Sequence, residues 1–357
     1  MEPLAQAAPP PAGIRVWLLA ARPRTLTAAV APVLVGTAVA AAYGGFRPLP
    51  ALAALLTAMS LQIGTNFAND YHDFQRGADT HERVGPRRVT QSGLVAPRTV
   101  RAAALATFAV AFVIGIYLAA IGGWPILITG LASIAAGWAY TGGPWPFGYH
   151  GLGDVFVFVF FGLVATAGTT YVQVHAVPPA AWIAAVPVGA LATAILVVNN
   201  LRDIATDARA GKRTLAVRLG PSRTRAQYAL LLAVAFAAPF ALLPFSRPWV
   251  LLPLAALPLA MPPLRLVLRG QGAELSILVM DAELRPLAVK EVMLVLAYPA
   301  ASIEPVRRSA TDVGDSTWRI ENLRIPLAGR WDVRVDILIN DFEKVVLEEK
   351  VELPRAP

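Results

Sequence analysis

The chain of 357 residues is 56% hydrophobic and only 15% charged, whereas an ordinary soluble domain has about a quarter of its residues charged. This excludes a single water-soluble globule, and the absence of cysteine excludes disulfides, thiolate metal sites and cysteine nucleophiles. The net charge of +8 does not argue for nucleic acid as a partner, because the arginines sit in loops between apolar runs, where a membrane protein needs them for orientation.

A Pro/Ala-rich leader, residues 1–14, is expected to be disordered. Apolar stretches follow near 15–43, 50–70, 99–121, 124–141, 152–174, 180–200, 226–245 and 249–268. Each has about 17 residues or more, enough for a helix to cross roughly 30 Å of hydrocarbon. About eight spans are therefore predicted, making residues 15–270 an all-α polytopic membrane bundle. Arg22 and Arg24 near the start of the first span fit an uncleaved anchor with its N-terminus inside. Counting loops from there puts Arg76, Arg83, Arg87, Arg88, Arg98 and Arg101 on one side with Arg202, Arg209, Lys212, Arg213, Arg218, Arg223 and Arg225. The opposite loops hold little beyond Arg47 and Arg247. The positive-inside rule makes the basic side cytoplasmic, and the Gly/Pro-rich stretch 141–153 lies on that side too.

Beyond Arg269 charge becomes dense. Trp331, Val333, Val335, Ile337 and Ile339 alternate with mostly charged residues, and β-rich runs lie near 275–282, 289–298 and 343–352. A small all-β, sandwich-like C-terminal domain is predicted over 275–353.

The end of the second span reads QIGTNFANDYHD, followed by Asp79. On a helix Asn66, Asp70 and Asp73 stand at i, i+4 and i+7 and share one face. The end of the sixth span repeats the pattern as NNLRDIATD, with Asn200, Asp203 and Asp207 within two turns. Carboxylates at the end of an apolar span are costly unless a cation neutralises them. Magnesium bound by carboxylate and phosphate oxygens meets that need, with Arg87, Arg88, Lys212 and Arg213 balancing the remaining phosphate charge. The alternative is that these acids are solvated helix ends paired with loop arginines. None of His72, His81, His150 and His175 forms a ligand-spaced group.

The strings ARPRTL, QIGTNFANDYHDFQRGADT, GPRRVTQSGL, YTGGPWPFGYHGLGDVFVFVFFG and NNLRDIATDARAGKRTLAVRLG resemble the UbiA superfamily of membrane prenyltransferases, in its bacterial branch that acts on 1,4-dihydroxy-2-naphthoate. The resemblance covers about 15–270. It implies that a polyprenyl chain passes from its diphosphate to the aromatic acceptor with loss of diphosphate and carbon dioxide, giving a demethylmenaquinol. It implies that Asp70, Asp73, Asp203 and Asp207, with Asp79, hold Mg2+ and act catalytically. Asn66, Asn69, Arg87, Arg88, Asn200, Lys212 and Arg213 are then substrate-binding residues. Tyr140, Pro144, Tyr149 and Asp154, flanking the third cytoplasmic loop, are expected in the acceptor pocket or a lid, although Tyr140 also fits an interfacial anchor. The implied setting is a bacterial plasma membrane with the site facing the cytoplasm and lipid around the helices. A sister enzyme acting on another acceptor, such as 4-hydroxybenzoate, and, in a different class, a secondary transporter are the competing readings. The segment 275–353 resembles the soluble β region of CopD-type copper-resistance proteins. It has no His or Cys with which to bind copper.

Overall fold

In a computed structural model of the protein the described residues are 13–78, 88–269, 273–281, 283, 285–298, 303–314, 316–323, 329–340 and 343–353. They divide between Leu268 and Arg269 into two units, the first helical and the second built of strands.

Proline sets where the helices begin. α1 (Ile14–Ala21) is followed by α2 (Pro23–Ala42), α3 (Pro48–Gln75), α4 (Pro97–Gly122), α5 (Trp124–Ala139), α6 (Gly153–Val157), α7 (Ala165–Val174), α8 (Pro179–Arg202), α9 (Ile204–Arg209), α10 (Leu215–Ala237) and α11 (Leu257–Arg269). α2, α3, α4 and α8 each open on a proline, whose missing N–H costs nothing at a first helical position. The run predicted as a single first span is two helices, because the residue before a proline is disfavoured in the α conformation. Arg22 adopts φ 52, ψ 70 ahead of Pro23 and breaks the helix.

Among the described residues seven helices are long and apolar enough to cross a membrane: Pro23–Ala42, Pro48–Gln75, Pro97–Gly122, Gly153–Val174, Pro179–Arg202, Leu215–Phe245 and Pro248–Leu268. Trp124–Ala139 is a shorter eighth of 16 residues, about 24 Å at 1.5 Å per residue. Leu34, Val113, Leu230 and Leu259 stand exposed on these helices, a surface suited to lipid rather than water. The chain is a multi-pass membrane protein.

Between α6 and α7 the helix widens into a π-helical turn over Phe158–Val164. A side chain is impossible on its inner wall: a Cβ on Gly162 would come within 2.6 Å of Gly189 Cα on α8. The two glycines let these helices touch backbone to backbone.

In the second unit, strands β1 (Ala273–Leu278), β2 (Glu291–Tyr298), β3 (Ile303–Ser309), β4 (Thr311–Gly314), β5 (Thr317–Leu323), β6 (Gly329–Asn340) and β7 (Glu343–Leu353) form two antiparallel sheets, ordered β1-β5-β4 and β3-β2-β6-β7. The alternation read in the sequence is the inner face of β6, where Val333, Val335 and Ile337 oppose Leu296, Leu294 and Val292 of β2. Trp331 is fully enclosed, and Trp318 and Ile320 from the other sheet complete one core.

Candidate functional site

The last three turns of α3 carry three buried polar residues, Asn66, Asp70 and Asp73, none more than 3% exposed. Their neighbours on the other faces, Phe67, Ala68 and Tyr71, pack with Val16, Ala20, Val89 and Val100 in an apolar cluster that fixes the helix end. Asp73 accepts from Arg88 Nη2 at 2.9 Å and from the Tyr149 hydroxyl at 2.8 Å. Asp70 accepts the backbone N–H of Val89 through Oδ2 and that of Thr90 through Oδ1, each at 3.1 Å. Buried carboxylates need such partners, since an unpaired one would neutralise by taking a proton.

Asn66 does not join them. Its two amide hydrogens go to Ala21 O at 2.9 Å and Thr25 Oγ1 at 3.1 Å, and its oxygen accepts from Gln62. The α1–α2 break supplies the reason: the last carbonyls of a helix lack intrahelical partners, and Asn66 satisfies one of them. Asn69 accepts from Thr141 Oγ1 at 2.9 Å, tying α3 to the loop after α5.

The second cluster forms where α8 stops at Asp203 and the short α9 begins. The Asp207 N–H donates to Asp203 O at 2.8 Å, so the two acids lie one turn apart. Arg202 grips Asp203 with two bonds of 2.7 Å, and Lys212 Nζ stands 3.9 Å from Asp207. Asn200 lies on the last turn of α8. Every acid of both clusters thus faces a cation or aligned backbone N–H groups.

Tyr149 links the halves. Its hydroxyl reaches Asp73, the Arg76 guanidinium and the Lys212 ammonium stand 5.4 and 5.2 Å from its ring centroid, and its carbonyl accepts the Arg213 N–H at 2.9 Å. Arg76 also donates to Thr141 O and Gly143 O at 3.1 and 2.6 Å. The Tyr140 pKa is raised first by burial and then by the carboxylates of Asp154, Asp73 and Asp207. The phenol therefore stays protonated at neutral pH within the field of acids from both clusters. Asp154 accepts from Gln227 Nε2 at 2.6 Å, joining α6 to α10.

A cavity of about 190 Å³ runs into the bundle from this level, its wall drawn from α2, α3, α5 and α7 and from the π-turn. Tyr140, Phe147, Phe156, Phe160 and Phe161 line it with Ala29, Val33, Leu61 and Val172, while Gln62, Thr65 and Thr169 are among its few polar groups. Phe147 and Phe156 stack at 3.8 Å and Phe156 and Phe160 at 6.0 Å, a row of rings along one wall.

Of the residues predicted for the site, Asp73, Arg88, Asp207, Lys212 and Arg213 are joined around Tyr149, and Tyr140 lies in the field of Asp154, Asp73 and Asp207. Arg213 takes part through its backbone, with its side chain exposed. Asp79 and Arg87 lie outside the described residues. Sequence reasoning did not single out Arg76, nor Tyr149 as a link between acids; neither signal is visible without the turn at Phe147–His150 that presents the tyrosine.

The acids around Tyr149 offer hard oxygens, and the chain has no cysteine to supply a thiolate. Such a donor set suits a small divalent cation. Among the described residues no three acids or histidines stand close enough to hold an ion by themselves.

Residues 29–276 match the sequence profile of the UbiA prenyltransferase family. The 1,4-dihydroxy-2-naphthoate octaprenyltransferase of Mycobacterium tuberculosis is 47% identical over 256 residues, covering 72% of this chain and 87% of the relative. The Escherichia coli protein of the same name is 42% identical over 71% of this chain and 85% of its own. In fold, the helical unit is similar to a UbiA homolog from Archaeoglobus fulgidus, a structure bound to GPP and Mg2+. That likeness has a TM-score of 0.50 and 18% identity, over 71% of this chain and 86% of that one.

Proposed function

This chain belongs to the UbiA prenyltransferase family, and we propose that it transfers a polyprenyl group from polyprenyl diphosphate to 1,4-dihydroxy-2-naphthoate. The observation that carries this reading is an aromatic-walled apolar cavity opening at the level where acids and cations from two halves of the bundle meet at Tyr149. A long apolar tail with a diphosphate head matches both parts. The Mycobacterium tuberculosis and Escherichia coli relatives carry the corresponding name.

In this reading Asp73, Asp203 and Asp207, with Asn69 and Asn200 nearby, hold Mg2+, which supplies charge neutralisation for the departing diphosphate. Arg88 and Lys212 offer positive charge to the phosphate oxygens. As the allylic C–O bond breaks, diphosphate leaves with the bonding electrons. The electron-rich ring attacks the allylic carbon through the carbon that bears the carboxylate. Carbon dioxide then leaves without its bonding pair, which restores aromaticity and yields a demethylmenaquinol. The phenylalanine row and the neutral Tyr140 phenol enclose the cationic carbon, keeping water away while offering π faces. Asp154 supports this wall by holding α6 against α10. The arginine distribution supports a site facing the cytoplasm, and the bacterial source of the named relatives supports a plasma membrane as its setting.

We assign the β unit no group in this chemistry. Its likeness to CopD-type regions rests on its sequence runs, and we assign it no copper. The test is turnover by the purified chain with a panel of aromatic acceptors and one prenyl diphosphate. Activity on dihydroxynaphthoate with a decarboxylated product is expected; activity confined to 4-hydroxybenzoate would move the chain to a sister enzyme.

A further inference from the structure

Asp70 belongs by sequence to the same acidic run as Asp73, yet the two carboxylates are used differently. Asp73 meets side chains, Arg88 and Tyr149. Asp70, 2% exposed, meets only main chain: its two oxygens take the consecutive N–H groups of Val89 and Thr90. A carboxylate bridging two successive amides is a clamp on a turn, the arrangement seen when an acid caps a helix start. The turn it clamps closes on itself, with Ser92 N–H to Arg88 O at 3.0 Å, Ser92 Oγ to Arg88 O at 2.7 Å and Leu94 N–H to Val89 O at 3.0 Å. Val89, with no exposed surface, plugs the turn into the apolar cluster beside Tyr71 and Val100. Arg88 is the residue immediately before the clamped pair, and its guanidinium reaches Asp73 three residues along α3 from Asp70.

We infer that Asp70 is a positioning residue rather than a metal ligand: it locks the Arg88–Leu94 turn onto α3 so that Arg88 is held at Asp73, where the prenyl diphosphate binds. The inference rests on the proposed prenyl-transfer reading for what binds there, and on this structure for the clamp. Rigidly held side chains lose little entropy on binding, so the benefit appears in substrate affinity. Of the described acids, Asp73, Asp203 and Asp207 then remain for the ion.

A double-mutant cycle on the full chain in detergent or nanodiscs tests this. The quantities read are the dissociation constant for a short prenyl diphosphate and the half-saturating Mg2+ concentration. Asp70→Asn, isosteric but with one acceptor, is expected to weaken prenyl diphosphate binding roughly tenfold, the scale of lost charge-assisted hydrogen bonds. Half-saturating Mg2+ should stay within about twofold of wild type, whereas Asp203→Asn should raise it. Because Asp70 acts through Arg88, D70N should add less than about twofold to an Arg88→Ala background. Full multiplication of the two effects, or a raised Mg2+ requirement in D70N, overturns the role. A second route removes the clamp from the other side: an ester in place of the Thr90 amide deletes one donor and keeps every side chain. It should reproduce the affinity loss, and wild-type affinity in the ester protein would equally overturn the proposal. A wild-type chain that binds no prenyl diphosphate defeats the activity and this role together, while a binding wild type with an additive cycle defeats the role alone.

Discussion

Replacing Asp73 by Asn separates its structural from its chemical contribution. Asp73 and Arg88 are 1% and 4% exposed and lie 2.9 Å apart, so removing the Asp73 charge breaks a close ion pair in a poorly solvated site. Breaking such a pair costs about 3–5 kcal/mol, which for a unit of this size lowers the melting temperature by on the order of 10 °C. Asp73→Asn combined with Arg88→Met removes both charges of the pair and should recover most of that loss. Turnover should not recover, because the carboxylate proposed to meet the ion is still missing; a deficit of at least about 100-fold is expected in both proteins, the scale of losing one preorganised electrostatic group. Scanning fluorimetry in detergent and a diphosphate-release assay on the same samples give the two numbers. If the double variant regained both stability and turnover, Asp73 would serve only to neutralise Arg88, and the reasoning would fail.

Tyr149→Phe removes the 2.8 Å bond to Asp73 while keeping the ring beside Arg76 and Lys212; a roughly tenfold or greater loss of kcat is expected from one hydrogen bond to a charged acceptor, and unchanged kcat contradicts its linking role. Lys212→Met should raise KM for prenyl diphosphate more than it lowers kcat, since the residue borders Asp207 at the edge of the site; steady-state kinetics against both substrates decide. Trp331→Ala, at the centre of the β core, should cost about 3–5 kcal/mol there and leave turnover near wild type, as every proposed catalytic residue precedes Gly220; proteolysis of the β unit together with the release assay checks both halves. Asp336 is held below the ordinary carboxylate range first by its bond from Arg334 and further by Lys344. A depressed value means stability present above about pH 4 and lost as pH falls through the folded-state value. Acid melting of the β unit, followed by strand infrared absorption, should therefore flatten in Asp336→Asn; an unchanged acid limb refutes the assignment.

The seven long helices and the inner face of β6 were legible because hydropathy and alternation report one-dimensional facts, span length and facing. Strands β3, β4 and β5 escaped that reading: Ile303–Ser309 holds Pro305, Arg307 and Arg308, Thr311–Gly314 is exposed throughout, and the alternation in Thr317–Leu323 is short. Both acidic runs stood out in the sequence because their spacing, i, i+4, i+7 in the first and i, i+3, i+7 in the second, is that of one helix face, although the second run crosses the break between α8 and α9 at Asp203. What each acid binds was not legible. Asn66 turns away because a helix break at Arg22, far off in sequence, offers it a carbonyl, and Asp70 meets backbone N–H groups that no side-chain pattern encodes. The π-turn at Phe158–Val164 and the close passage of Gly162 by Gly189 likewise depend on how two helices meet.

The most direct measurement of the central claim follows diphosphate release and product mass together, in membranes containing the chain, with polyprenyl diphosphate, 1,4-dihydroxy-2-naphthoate and varied Mg2+. The account predicts release that requires both acceptor and Mg2+, matched mole for mole by a prenylated naphthalenediol lacking the acceptor's carboxylate. Release that persists with chelator, or a product that keeps the carboxylate, would contradict it.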